Sequence, residues 1–324
     1  MLRTFLRLTA LAGTLAFAAL PAHAETKLRI GHNQPEAHPT HTVLLQFADK
    51  VKELSKGEVT VTVIPNSQLG DARAMLEQVQ NGVLDMSVSS VASLEAFVPE
   101  FKVFNLPYLF DSREHFFKVL EGEFGSALLE AGRKKDIVGL FYMDAGARSF
   151  YAKKPIKTPD DLKGMKIRVQ PSPTNLKMIE LMGGAPTPIA WGEVFAALQN
   201  GVVDGAENNV TALTIARHGE VAKVFSRDEH TRLPDIVLVG TATLDKLSKA
   251  QQQALQLAAK FAAAEHKKAW AAAEETEEKK AREMGVTFAE VDKAAFREKT
   301  KPMIEEARKD KLQASVIDRI AASR

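Results

Sequence analysis

The sequence predicts an α/β fold built as two lobes, and three observations carry that prediction. Strand and helix signals alternate from the start of the chain, one hexapeptide recurs far downstream in the same setting, and a late helical stretch is long enough to bridge two lobes.

Residues 27–32, KLRIGH, read as a strand, and 58–64, EVTVTVI, alternate apolar and polar side chains as a half-buried strand does. Between them the spacing predicts an amphipathic helix over 40–55, opening at Pro39, whose fixed φ suits a first helical position. A second helix over 71–81 is closed by Gly82. This alternation favours a parallel or mixed sheet with helices on both faces. QNGVLD at 80–85 and QNGVVD at 199–204 then share five of six positions, each a helix end, a glycine stop and a following strand. Residues 158–164, TPDDLKG, form a short capped turn with Thr158 as N-cap, Pro159 at the first helical position and Gly164 at the end. It leads into the strand carrying Arg168. Ser248 and Gln251 make a capping-box pair, and neither glycine nor proline follows until Gly285. At ~1.5 Å per residue, roughly 36 helical residues reach about 54 Å, more than one lobe needs. Leu255, Ala258, Ala262, Ala269 and Ala273 supply its packing stripe, while EETEEKKAREMG has a solvated composition.

Composition bounds the function. Positions 1–24 carry Arg3 and Arg7, an apolar run through Leu8, Leu11, Leu15, Phe17 and Leu20, and then Ala22-His23-Ala24, the small-residue pattern of a signal-peptide cleavage site. The run is too short for a membrane span and contains Gly13 and Pro21, so export with cleavage after Ala24 is expected, most simply to the periplasm. The absence of cysteine excludes a lipidated cysteine, a disulfide framework and sulfur-based metal sites. Cleavage removes two of the 43 basic residues and none of the 41 acidic ones, leaving a neutral chain in which a nucleic-acid surface is not indicated. The 324 residues, 45% apolar, suffice for a large core divided between two domains.

The chemistry concentrates between Arg148 and Asn209. Arg148 lies in GARSFYA, Arg168 in KIRVQPSP, and Asn208 with Asn209 in VDGAENN, all near strand ends. A guanidinium fixed there presents a planar fork of donors that matches a carboxylate, the signature of an anion receptor.

Taken together, the leader, QLGDARAML, FNLPYLF, GARSFYA, DDLKGMKIRV, EVFAALQNGVVDGAENN and the long late helix resemble the DctP-type solute-binding proteins of tripartite ATP-independent periplasmic (TRAP) transporters. The resemblance runs in order through essentially the whole mature chain. It implies a periplasmic-binding-protein fold, with two α/β lobes around a cleft, a long bridging helix, and closure on an organic acid passed to TRAP membrane subunits. The expected division is 25–145 plus 234–273 against 146–233 plus 274–324.

By the same resemblance, Arg168 forms the salt bridge to the substrate carboxylate, Arg148 is a second arginine, and Asn208 bonds the carboxylate or an adjacent oxygen. Asn209 adds a donor and acceptor where other members carry proline, and Glu207 either touches ligand or orients the arginines. His32, Ser90 and Trp191 fall at ligand-lining positions. Ala72 stands where many relatives have a carboxylate, with Asp71 beside it as the alternative. The expected ligand is a sugar acid, a hexuronate or aldonate; the alternative is a C4-dicarboxylate or another small carboxylate, whose second carboxylate Arg148 would hold. A periplasmic enzyme is the distant alternative: His38 and His41 with His32 suggest a metal site, and Glu193 or Glu207 a general base, but no GxSxG, HExxH or phosphate loop occurs. A monomer without cofactor or metal is expected.

Overall fold

The computed structural model describes residues 25–324, so the expected leader lies outside the described residues. Among the described residues eleven strands follow in chain order: β1 Thr26–Gly31, β2 Val59–Ile64, β3 Met86–Ser90, β4 Ile137–Met143, β5 Ala147–Ala152, β6 Lys166–Val169, β7 Ala185–Pro188, β8 Gly205–Asn208, β9 Val224–Arg232, β10 Asp235–Gly240 and β11 Thr287–Ala289. They form two sheets, ordered β2-β1-β3-β10-β4 and β11-β9-β5-β8-β6-β7. In the first, β1 runs parallel to β2 and β3, while β10 is antiparallel to both its neighbours. In the second, β6 is parallel to β7 and β8, and β5 is antiparallel to β8 and β9. The mixed sheets follow from the chain's route: it leaves the first sheet between Met143 and Ala147 and returns between Arg232 and Asp235.

The repeated hexapeptide performs one task twice. Asn81 and Asn200 end the helices Ala72–Gln80 and Val194–Gln199, and the next residues, Gly82 and Gly201, both take φ of +70°, which a Cβ would strain. The aspartate closing each copy then accepts a backbone N–H from the neighbouring strand: Asp85 from Arg29 at 2.8 Å, Asp204 from Lys166 at 2.8 Å. Each lobe thus pins a helix-to-strand turn to its sheet with the same carboxylate.

The helix Lys249–Glu283 runs 35 residues from the Ser248/Gln251 capping box. Its early turns bury Leu255, Ala258, Ala259 and Ala262 with Val43, Phe47 and the strands of the first sheet. Ala281, near its end, joins the core beneath the second sheet with Tyr151, Ala206 and Phe225. Small side chains let the helix approach both layers closely. The Thr158 turn is a 3₁₀ helix, Pro159–Leu162, with the capping box closed by Asp161. A further core unites Leu106 and Leu109 with Val169, Met178 and Phe296, and with Ile317 and Ile320 of the last helix, while Phe101, Phe104 and Phe116 pack with Ile236 and Leu238 of the first sheet, so the stretch after Pro99 is shared between the two sheets.

Candidate functional site

The site is built where β5 begins and β6 and β8 end. β5 pairs with β8 so that Ser149 faces Asn208 and Phe150 faces Glu207, and β6 pairs with β8 at Arg168 and Ala206. Arg148 and Arg168 are therefore carried on strands either side of β8, and they are 3% and 1% exposed.

Their situations differ. Arg148 donates from Nε to Glu207 Oε2 at 2.5 Å, from Nη2 to Glu207 Oε1 at 2.9 Å and to the Glu207 carbonyl at 2.8 Å, and from Nη1 to Asn208 Oδ1 at 2.8 Å. Of its five N–H groups, one remains. Burial works to raise the Glu207 carboxyl, but the Arg148 guanidinium and His230 override it and hold Glu207 at about 2. His230 Nε2 lies 3.3 Å from Glu207 Oε2, and its Nδ1 lies 2.7 Å from Asp228 Oδ2. Asp228 accepts in turn from the Phe150 backbone at 3.1 Å. The chain Arg148–Glu207–His230–Asp228 is thus a closed, buried charge network.

Arg168 has no carboxylate partner among the described residues. Its Nε and Nη2 donate to the Ile189 carbonyl at 3.0 and 2.8 Å, and its buried Nη1 has no partner. Trp191 covers the guanidinium, with 5.7 Å from Cζ to the ring centroid. Burial, with Arg148 nearby, lowers the Arg168 pKa to about 10, the mark of a cation that has lost water without gaining a counter-charge. Two N–H groups on Nη1 and one on Nη2 stay available, and an anion is what they fit.

These groups open into a cleft whose walls come from both sheets. Its inner compartment holds about 500 Å³ of empty space and is lined by Arg148, Arg168, Gln170, Trp191, Asn208 and Asn209 on one side and Asn33, Gln34, Ala72, Ser90, Ser93 and Asp235 on the other. An outer compartment continues past Ser67, Asp71, Arg73, Ala96 and Pro171.

The structure brings together most of the residues the sequence singles out. Asn208 lines the cleft, and because its Oδ1 accepts from Arg148 and from the Asn209 backbone, its Nδ2 donors face away from them. Trp191 and Ser90 also line it; the Ser90 hydroxyl caps Val91–Leu94 by accepting from Ala92 at 3.3 Å. Asn209 lines it too, but its amide donates to the Ala145 carbonyl at 2.9 Å and accepts from Thr211, holding the crossover between sheets. Asp71 caps Ala72–Gln80 from the outer compartment. Glu207 is turned away onto Arg148 and His230. His32 does not line either compartment: it is wholly buried, with Nε2 3.0 Å from His41 Nδ1, and burial together with His41 lowers its pKa to about 4. His38 caps Pro39–Leu54 by accepting from Thr40, and no group of three or more His, Asp or Glu among the described residues is arranged to hold a metal.

The sequence reading did not reach Asn33, Gln34, Ser93, Gln170 or Asp235 of the inner compartment, and two of these stand out. Gln170 follows Arg168 by two, hence on the same face of an extended segment, and its buried Oε1 has no partner. Asp235 opens β10 directly after the crossover, signalled only by a carboxylate at the mouth of an otherwise apolar strand.

Residues 30–310 match the family DctP, bacterial extracellular solute-binding protein, family 7. A TRAP periplasmic solute-binding protein from Anaerococcus prevotii with bound α/β-D-glucuronate superposes with a TM-score of 0.90 at 38% identity, covering 92% of this chain and 98% of that one. One from Xanthobacter autotrophicus with bound β-D-galacturonate gives 0.89 at 35% identity, covering 92% and 100%. The 2,3-diketo-L-gulonate-binding periplasmic protein of Escherichia coli is 32% identical over 246 residues, 76% of this chain and 75% of that one.

Proposed function

We propose, from the premise that the chain belongs to the DctP family of bacterial extracellular solute-binding proteins, that it is a periplasmic receptor for a hexuronate that it delivers to TRAP membrane subunits. The observation that carries the reading is the buried, unpartnered Nη1 of Arg168 at the floor of the cleft between the two sheets. A carboxylate drawn into such a cleft loses its water, and Arg168 with the free amide donors of Asn208 replaces those hydrogen bonds. Arg148 contributes one remaining N–H and a fixed frame rather than a second full anion site, which favours one carboxylate over two. Gln170, Ser90 and the Trp191 face supply the polar and stacking surface that a pyranose ring requires.

The lobes of this reading are 25–145 with 234–273 and 146–233 with 274–324, joined by the long helix. Ligand bridging the two favours the closed arrangement because it contacts both; a ligand equally at home in open and closed forms shifts nothing. The protein acts by binding without turnover, as a monomer, after export and cleavage following Ala24. A thermal-shift screen of residues 25–324 against hexuronates, aldonates, C4-dicarboxylates and 2-oxo acids tests the reading: a hexuronate should raise the melting temperature most, and a response confined to C4-dicarboxylates would replace the substrate class.

A further inference from the structure

Opposite the carboxylate-binding groups, the lining of the inner compartment includes one acid among the described residues. Asp235 is the first residue of β10, held in register beside Ser90 of β3 and Met143 of β4 at the cleft edge of the first sheet. It lines the inner compartment with Arg148, Arg168, Asn208 and Gln170. Every other charged group of that compartment is explained by the protein or by the carboxylate: Arg148 by Glu207, Arg168 by the anion it lacks. The Asp235 carboxylate accepts no hydrogen bond from any described residue, although it is largely buried. An ionised carboxylate is acceptor-only, so its oxygens call for donors, and no described residue of the cleft wall donates to them.

We infer that Asp235 is the specificity-determining residue of the cleft, accepting hydrogen bonds from ligand hydroxyls and rejecting ligands that would place a second carboxylate against it. The inference rests on the hexuronate-receptor reading above and adds to it the residue that recognises ligand hydroxyls and excludes a second carboxylate. A hydroxyl donating to a carboxylate makes a charge-assisted bond of the stronger kind, and a site built around such a bond discriminates sharply against ligands that cannot donate. A second carboxylate at the same place meets like charge in a compartment with little water, so Asp235 both attracts the right ligand and repels the wrong one. Burial raises the Asp235 carboxyl to about 6 against the pull of Arg148, with Asp144 adding to the rise.

The test compares D-galacturonate with galactarate, which has the same carbon skeleton with a carboxylate at both ends, by isothermal titration on residues 25–324. Three proteins are titrated: the unaltered chain, Asp235→Asn, which keeps the side-chain shape, and Asp235→Ala, with far-ultraviolet circular dichroism and melting curves establishing that each variant is folded. The unaltered protein should prefer galacturonate, and both variants should narrow that preference by roughly tenfold to a hundredfold, through weaker galacturonate binding, stronger galactarate binding, or both. An unchanged preference in the folded variants overturns the role of Asp235 while leaving the receptor intact. A preference of the unaltered protein for galactarate does the same. Absence of binding to any acid in the screen sinks the receptor reading, and the role of Asp235 with it.

Discussion

Arg148 and Glu207 form a two-point ion pair, Nε to Oε2 at 2.5 Å and Nη2 to Oε1 at 2.9 Å, with both side chains almost fully buried. The pairing divides the labour of two arginines that are indistinguishable by residue type. Arg148, neutralised, orients Asn208 through its Nη1; Arg168, not neutralised, is left as the cation that faces the cleft. Removing one member of a buried pair leaves the other charge without compensation.

Glu207→Gln should therefore destabilise the fold by about 3 kcal/mol, since the amide keeps the shape but not the charge opposite Arg148. Urea unfolding of the two proteins checks this. Equal midpoints and slopes would mean that the pair contributes nothing net.

Burial alone would lower the His230 pKa, but the carboxylates of Asp228 and Glu207 outweigh it and raise it to about 9. A raised folded pKa means stability that is fully present below the unfolded value of about 6.5 and is lost as the pH rises through about 9. On the acid side the sign reverses. Burial, with Arg168 beside His218 and the imidazoles of His266 and His32 beside His38, lowers His38 and His218 to about 3, and burial lowers His32, beside His41, and His266 to about 4, so their contribution is lost as the pH falls below about 6.5. Denaturant midpoints between pH 4 and pH 10 should fall on both sides of near-neutral pH. His230→Gln should flatten the alkaline limb only.

Glu95 joins elements that the two sheets carry separately. Its Oε1 accepts from Ser172 Oγ at 2.7 Å and from the Thr174 backbone at 3.1 Å, at the start of the helix Pro173–Met182, and its Oε2 accepts from Asn105 at 2.9 Å. Glu95→Ala orphans three buried donors beside the cleft and should cost about 2–4 kcal/mol. Thermal melting reads the loss, and a melting temperature unchanged to within a degree would show that water replaces the carboxylate freely.

Gly146 occupies the first crossover at φ +66°, where an added Cβ would stand 2.6 Å from Glu274 Oε1 and 3.2 Å from Trp270 Nε1 of the long helix. Gly146→Ala should destabilise by about 1–3 kcal/mol, from the left-handed backbone and the displaced side chains together. A melting curve of this variant that overlays the parent would mean that the crossover relaxes without strain.

The parts of this molecule that repeat locally were the parts legible in the sequence. The Ser248/Gln251 box, the Thr158 turn and the twin QNGVxD stops are each determined within a few residues, and each forms where its pattern predicts. The resemblance carried by KIRV singles out Arg168, and the fold places that residue in the lining of the cleft. What could not be read was pairing across the sheet. Glu207 and His230 meet across β5 from strands that are not neighbours, and only the β9-β5-β8 order puts them 3.3 Å apart. The direction in which His32 points depends on how Pro39–Leu54 starts, and that start brings His41 to it. Asp235 reaches the cleft because the chain recrosses between the sheets just before it, a fact of topology rather than of local spacing.

The most direct measurement is isothermal titration of residues 25–324 with D-glucuronate and D-galacturonate, in the unaltered protein and in Arg168→Ala shown to be folded by circular dichroism. Loss of one partner of a desolvated ion pair is worth roughly 3–5 kcal/mol, or a hundredfold to several thousandfold in affinity. Saturable one-to-one binding of at least one of these acids, reduced by at least about a hundredfold in the variant, is the predicted result. Binding that survives Arg168→Ala within about tenfold would contradict the assignment of Arg168 as the anchor of the site.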